Sequence, residues 1–209
     1  MKGAAPAGTL AALVLVAAVG CRIATVRPLD EKGAPAVGAV PASGPFDAAA
    51  FVESIWRPEV LRALEGALDV GRIAGKTASV ADDSGGRPHS LVVRGEGRVV
   101  DVDTRSRSGT ATVALDKEAH ATVVLQVGPV ITGTAIRDAL PALGFDRFVN
   151  QIQHADVGNE LNARVEREVL QGLDRAALRG RHVRFAGMAS FEEGRPLTIT
   201  PVQLQVEEP

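Results

Sequence analysis

Cysteine is almost missing from this 209-residue chain: there is one, Cys21. That excludes an intramolecular disulfide and any multi-cysteine zinc or iron–sulfur site. Tyrosine is absent, and one Trp and six Phe make up the aromatics. So few rings leave little to stack sugars or unpaired bases on. Neither sign of charge is in excess, with 23 Lys+Arg against 25 Asp+Glu. A net charge of −2 therefore gives no electrostatic grip on a phosphate backbone. Nucleic acid is not an expected partner.

Long apolar runs are missing too. The longest, Leu10 to Val19, spans about half of the roughly 30 Å hydrocarbon core of a bilayer. It follows Lys2 and ends in Ala18-Val19-Gly20, directly before Cys21. A charged start, a short apolar core and small residues before a cysteine read as a lipoprotein signal peptide over residues 1–20. Cys21 is then the lipidated first residue of the mature chain, and acyl chains hold it on a membrane. An ordinary signal peptide with an incidental cysteine is the alternative. The expected location is the periplasmic side of a bacterial membrane, inner or outer left open.

What is present is enough for a core: 45% of residues are hydrophobic. Residues 21–45, broken by Pro28, Gly33, Pro35, Pro41 and Gly44, read as a lipidated flexible tether. Residues 46–209 read as one domain. Asp47 can cap a helix carrying Phe51, Val52, Ile55 and Trp56 on one face, with Trp56 assigned to the core. Pro58 is expected to stop that helix and begin a second, Glu59 to Ile73, with Val60, Leu61, Leu64 and Leu68 as its stripe. Beyond a Gly/Ser/Asp-rich loop the period changes from 3.6 to 2. Strands are expected at Leu91–Asp103, Thr110–Leu115, Ala121–Val127, Arg181–Gly187 and Leu197–Val206. A short helix from Thr134 and a longer one over Asp146–Leu170 fall between the third and fourth.

This order gives an α+β, mainly β fold. The expected form is a five-stranded antiparallel OB-like barrel or curled sheet, with an N-terminal helical pair and a helix inserted between strands 3 and 4. An open antiparallel α+β sandwich is the alternative. Pro201 is the awkward residue, because proline cannot donate to a ladder.

Parts for catalysis are scarce. The histidines 89, 120, 154 and 182 have no metal-ligand spacing. The Gly128–Thr134 run lacks the Lys-Ser/Thr of a phosphate loop, and no Gly-x-Ser-x-Gly elbow occurs. No cofactor, metal or enzyme activity is expected. The most specific segment is 126–162. Gly133, Thr134, Arg137 and Asp138 at the start of the short helix, with Asn150 and Gln151 on the next, could form a pocket for a small polar ligand such as a sugar or sugar acid. On this reading Asp146, Asn150 and Gln153 share a face, and Phe145, Phe148, Val149, Ile152, Val157 and Leu161 are core. The plainer reading, preferred here, is that these polar groups cap helices and tie down loops.

Several of these runs together resemble a family. Cys21 to Ile23, Phe51 to Trp56, Val93 to Val99, Gln126 to Asp138, Phe148 to Ile152, Asn159 to Asn162 and Thr200 to Val202 are similar to an uncharacterised family of predicted periplasmic lipoproteins (domain of unknown function 2291). The tether after Cys21 is longer here than in the family pattern. The resemblance implies export, a lipid anchor and a shared fold, and carries no activity. It also implies an accessory role beside an ABC-type sugar uptake system, with a protein of that system as possible partner.

Overall fold

The computed structural model describes residues 45–74, 89–118, 121–191 and 195–207. The signal peptide at 1–20, Cys21 and the tether up to residue 44 lie outside the described residues.

The first helix, α1 (Ala48–Ile55), begins where the Asp47 carboxylate accepts the amides of Ala49 and Ala50, both at 3.0 Å. Pro58 does not stop it. The chain continues through a wider π-helical turn, Trp56–Leu61, and a 3₁₀ turn, Leu64–Gly66. A looser turn accommodates a residue that has no N–H and crowds the carbonyl four positions back. The expected second helix breaks up here. Leu68–Asp69 forms a short strand, β1, followed by one helical turn, α2 (Gly71–Ala74), and Leu68 is exposed instead of striping a helix.

The sheet has six strands where five were expected, β1 being the addition. The others are β2 (His89–Asp103), β3 (Thr110–Leu115), β4 (Thr122–Gln126), β5 (His182–Phe191) and β6 (Thr198–Val206). It is not wholly antiparallel, since β1 pairs parallel to β2 and β4 parallel to β6. A parallel neighbour needs a long crossover, and the helical segment between β4 and β5 supplies one before the chain returns in β6. The pairings run from β2 through β3, β4, β6 and β5 and return to β2.

Strand β2 joins the two ends of that circuit. Its first ten residues pair with β5, and its last seven, apart from Val100 at a register shift, pair with β3, so Gly97 faces both Leu115 and Val183. A Cβ at Gly97 would run into the Ala114 carbonyl, so glycine is required where the strands converge. Pro201 sits opposite Gly187 at a register shift between Ala186 and Gly187, which is how a proline is accommodated inside the strand.

Two apolar clusters result. One gathers Val93, Val99, Val113, Val123, Leu125, Phe185 and Ile199 from strands β2 to β6. In the other, Met188 and Val202 of the sheet meet Val52, Ile55, Trp56, Ile136, Leu161 and Val165 from the helices. Trp56 is core as expected, 4% exposed, with the Arg164 guanidinium 4.6 Å above its ring. The inserted helices are shorter than the sequence suggests. They are α3 (Ala135–Asp138) and α4 (Gln151–Val165), the latter running on through a π-helical turn, Glu166–Leu170. Residues 145–150 are not part of α4, so Phe145 and Val149 do not join the core, and neither does Ile152 at its start. Phe148, Val157 and Leu161 do.

Candidate functional site

The polar segment 126–162 is organised by one buried amide. Gln126, at the end of β4, accepts the Thr132 amide (2.8 Å) and hydroxyl (3.0 Å) through Oε1. Its Nε2 donates to the Thr132 carbonyl and to Thr200 Oγ1, both at 3.0 Å. This fixes the loop that presents Gly133 at φ +82° and starts α3.

Thr134, Arg137 and Asp138 converge there. The Thr134 hydroxyl donates to Asp138 Oδ2 at 2.5 Å, while Arg137 Nε and NH2 hold Oδ1 at 2.9 and 2.7 Å. The remaining Arg137 nitrogen, NH1, donates to the His154 carbonyl at 3.3 Å, and Asn162 Nδ2 donates to the Gly133 carbonyl at 2.9 Å. α4 packs close to this group at Gly158, where a Cβ would meet Arg137 NH1 and the Thr134 methyl at an ordinary contact distance of 3.5 Å. Desolvation first, and the nearby Arg137 charge second, hold the His154 imidazole below its usual 6.5, and its Nε2–H donates to the Leu143 carbonyl at 3.1 Å. Asn150 stands apart from this group as the cap of α4, accepting the Gln153 amide at 2.9 Å, and Gln151 is exposed on the first turn. No hydrogen bond joins Asn150 or Gln151 to Arg137 among the described residues.

A cleft lies elsewhere. It occupies about 460 Å³ where β1 runs beside β2 and extends across β5 and β6. Val70, Leu115 and Phe185 give it an apolar floor, and Gln203 and Gln205 line the β6 side. Gly95 keeps the floor open, since a Cβ there would stand 2.6 Å from Val70 Cγ1 and 2.7 Å from Phe185 Cζ. Charges of both signs line the walls. Lys117 is loosely shared by Asp69 and Glu96 at 3.5 and 3.6 Å, and Arg184 by Glu96 and Glu207 at 3.3 and 3.2 Å. Arg94 forms no ion pair among the described residues.

The charged chain continues past the cleft. Glu207 also reaches His182 Nδ1 at 3.2 Å, and Asp116 reaches His182 Nε2 at 2.6 Å. The hydrogen bond that His182 donates to Asp116, with the negative charges of Asp116, Glu207 and Glu96, raises the His182 pKa above 6.5. Sequence reasoning placed Arg94 to Gly97 within a strand and missed the cleft. Its walls come from five separated segments, and the only local signal is charge alternating with glycine in β2.

Among the described residues no group of three or more His, Cys, Asp or Glu is placed to hold a metal ion, and no helix is long and apolar enough to cross a membrane.

The family model described as Predicted periplasmic lipoprotein (DUF2291) matches residues 10–205. The chain belongs to this family. Membership carries the location read from the N-terminus, a periplasmic chain held by lipid. An OB-fold protein from Thermotoga maritima MSB8, solved as a crystal structure, is similar with a TM-score of 0.57 at 18% identity. That alignment covers 78% of this chain and 100% of the other, and at such identity it speaks for the fold alone. Among curated proteins nothing matches the chain.

Proposed function

We propose that this protein is a non-enzymatic binding module, acylated at Cys21, whose cleft takes a small polar anion such as a sugar acid and which serves as an accessory to an ABC-type sugar uptake system. The circuit of strand pairings from β2 back to β2 is read as a closed OB-like barrel with the cleft on its wall. Arg94 carries the ligand reading. It is a cation on the cleft wall with no ion-pair partner among the described residues, beside two more cations held only loosely and two amides. Carboxylate pairs well with guanidinium, and amides suit hydroxyls. The walls are charge pairs and amides over an apolar floor, with no Ser, Cys or His among the lining residues, which supports binding over catalysis. The uptake link rests on the family resemblance and is checked by crosslinking in native membranes.

A second reading places the ligand at Gly133, Thr134, Arg137, Asp138, Asn150 and Gln151. It is supported by the convergence of the first four around a mostly buried guanidinium, 14% exposed at its side chain. Thermal-shift screening against sugars and sugar acids separates the two. The cleft reading expects a ligand-induced shift that Arg94→Ala removes and Arg137→Ala leaves in place. The reverse pattern favours the second reading, and no shift from any sugar or sugar acid removes the proposed ligand class.

A further inference from the structure

Both ring nitrogens of His182 face carboxylates, with Asp116 Oδ2 at 2.6 Å from Nε2 and Glu207 Oε2 at 3.2 Å from Nδ1. A carboxylate only accepts, and a neutral imidazole has one N–H to donate. The short bond to Asp116 takes that hydrogen, so in the neutral ring Nδ1 turns a lone pair on Glu207. Nδ1 is sealed from solvent, and its contact with Glu207 is an ion pair without hydrogen-bond alignment. The hold on Glu207 is therefore one of charge, present with the imidazolium and lost with the neutral ring.

Glu207 has a second cation within reach. Its amide donates to the His182 carbonyl at 2.9 Å, which fixes its backbone just past β6, while Oε1 lies 3.2 Å from Arg184 NH2. His182 and Arg184 are two residues apart in β5 and so share a face of that strand. Arg184 lines the cleft, whereas His182 and Glu207 do not. The other charges around the ring are engaged elsewhere or unpaired. Glu96, on β2, is shared by Arg184 at 3.3 Å and Lys117 at 3.6 Å. Arg98, opposite His182 in the β2–β5 register, gives NH1 to the Gly180 carbonyl at 2.7 Å. Arg181, next to His182 in the chain, forms no ion pair among the described residues.

We infer that protonation of His182 controls how far Arg184, on the cleft wall, is open to an anion, by drawing Glu207 away from it. With the imidazolium, Glu207 is divided between two cations and Arg184 can take a carboxylate from the cleft. With the neutral ring, Glu207 turns to Arg184 and neutralises it, and an anionic ligand is held less well. The bond to Asp116 keeps the proton on the ring to a pH above the usual 6.5, so the cleft holds its ligand on the acid side of that change and releases it on the alkaline side. The effect on ligand rests on the cleft reading given above, and the exchange of Glu207 between its two cations does not.

The test follows the full mature chain, in detergent micelles, by NMR across pH without ligand. The Glu207 carboxyl carbon and Arg184 Nε are expected to titrate with the midpoint of the His182 ring nitrogens, and both responses should vanish in His182→Gln. In Glu207→Gln the ring should still titrate while most of the Arg184 response is lost. An Arg184 signal that ignores the His182 midpoint overturns the proposal. So does one that persists undiminished in Glu207→Gln, which would mean that the ring charge acts on Arg184 through space. D-glucuronate is then titrated on either side of the midpoint. Binding about threefold tighter on the acid side is expected, with the difference lost in Glu207→Gln, and equal affinity on both sides overturns the control of the cleft. No glucuronate binding at any pH is a failure of the ligand reading instead, since the ligand-free titration decides the exchange at Glu207 and Arg184 by itself.

Discussion

The Gln126 carboxamide closes on the backbone of Thr132 with both of its ends, its oxygen on the amide at 2.8 Å and its nitrogen on the carbonyl at 3.0 Å. A side chain thus completes a strand-like pairing that the chain itself leaves at Gly128-Pro129. The same nitrogen ties the loop to Thr200 in β6.

Gln126→Ala should therefore destabilise the protein by about 3 kcal/mol, because buried groups of Thr132 and Thr200 lose their partners. Urea unfolding measures this. A loss below about 0.5 kcal/mol would mean that other contacts hold the loop.

Glycine is required at Gly187 for a different reason than at Gly133. A Cβ at Gly187 would strike the Thr200 carbonyl and come 2.8 Å from Pro201 Cα, whereas Gly133 faces open space and only its φ of +82° resists substitution. Gly187→Ala should cost roughly 3 kcal/mol or prevent folding, and Gly133→Ala about 1 kcal/mol. Equal losses in denaturant melts would contradict the close approach.

Two histidines pull stability in opposite directions with pH. Asp116, by hydrogen bond and charge, raises the folded pKa of His182, so its contribution is fully present below pH 6.5 and is lost as pH rises through the raised value. Burial lowers that of His154, so acidification below pH 6.5 removes stability until its lowered value is passed. Thermal melting across pH should show His182→Gln removing the loss on the alkaline side and His154→Gln the loss on the acidic side. The proposed couplings fail if the two variants give the wild-type profile.

Asp103 offers a local check at the exposed β2–β3 turn. Hydrogen bonds from the side chain and then the backbone of Arg105 hold its carboxyl at about 2 instead of the usual 3.8. Arg105→Ala should move the midpoint upward in an NMR titration, and a wild-type midpoint near 3.8 would show that the pair does not persist in solution.

The strands were legible because alternation of apolar and polar residues is a local property of the chain. Thr110–Leu115 shows it plainly, every second residue being buried. The Asp47 cap was legible for the same reason. The failures are instructive. Phe145, Val149 and Ile152 have the composition of a helix's core face, but Asn150 caps α4 just before Gln151, and a stripe that spans a helix start faces no single direction. The run from Glu59 to Ile73 has helical spacing, but the open edge of β2 offers Leu68 and Asp69 backbone partners that outcompete a helical turn. At the candidate site the sequence grouped Gly133, Thr134, Arg137 and Asp138 correctly as neighbours. The pairing of Arg137 with Asp138 was legible too, within the plainer reading of these polar groups, because the two are adjacent in the chain.

By itself the sequence determined a short apolar leader ending at a single cysteine, a mainly β body and the positions where glycine and proline interrupt it, since each depends on residues adjacent in the chain. Only the tertiary structure decided the parallel pairing of β4 with β6 and the cleft around Arg94. Those depend on segments as far apart in the chain as Asp69 and Gln205, brought together by burial of apolar surface, which has no direction along the chain.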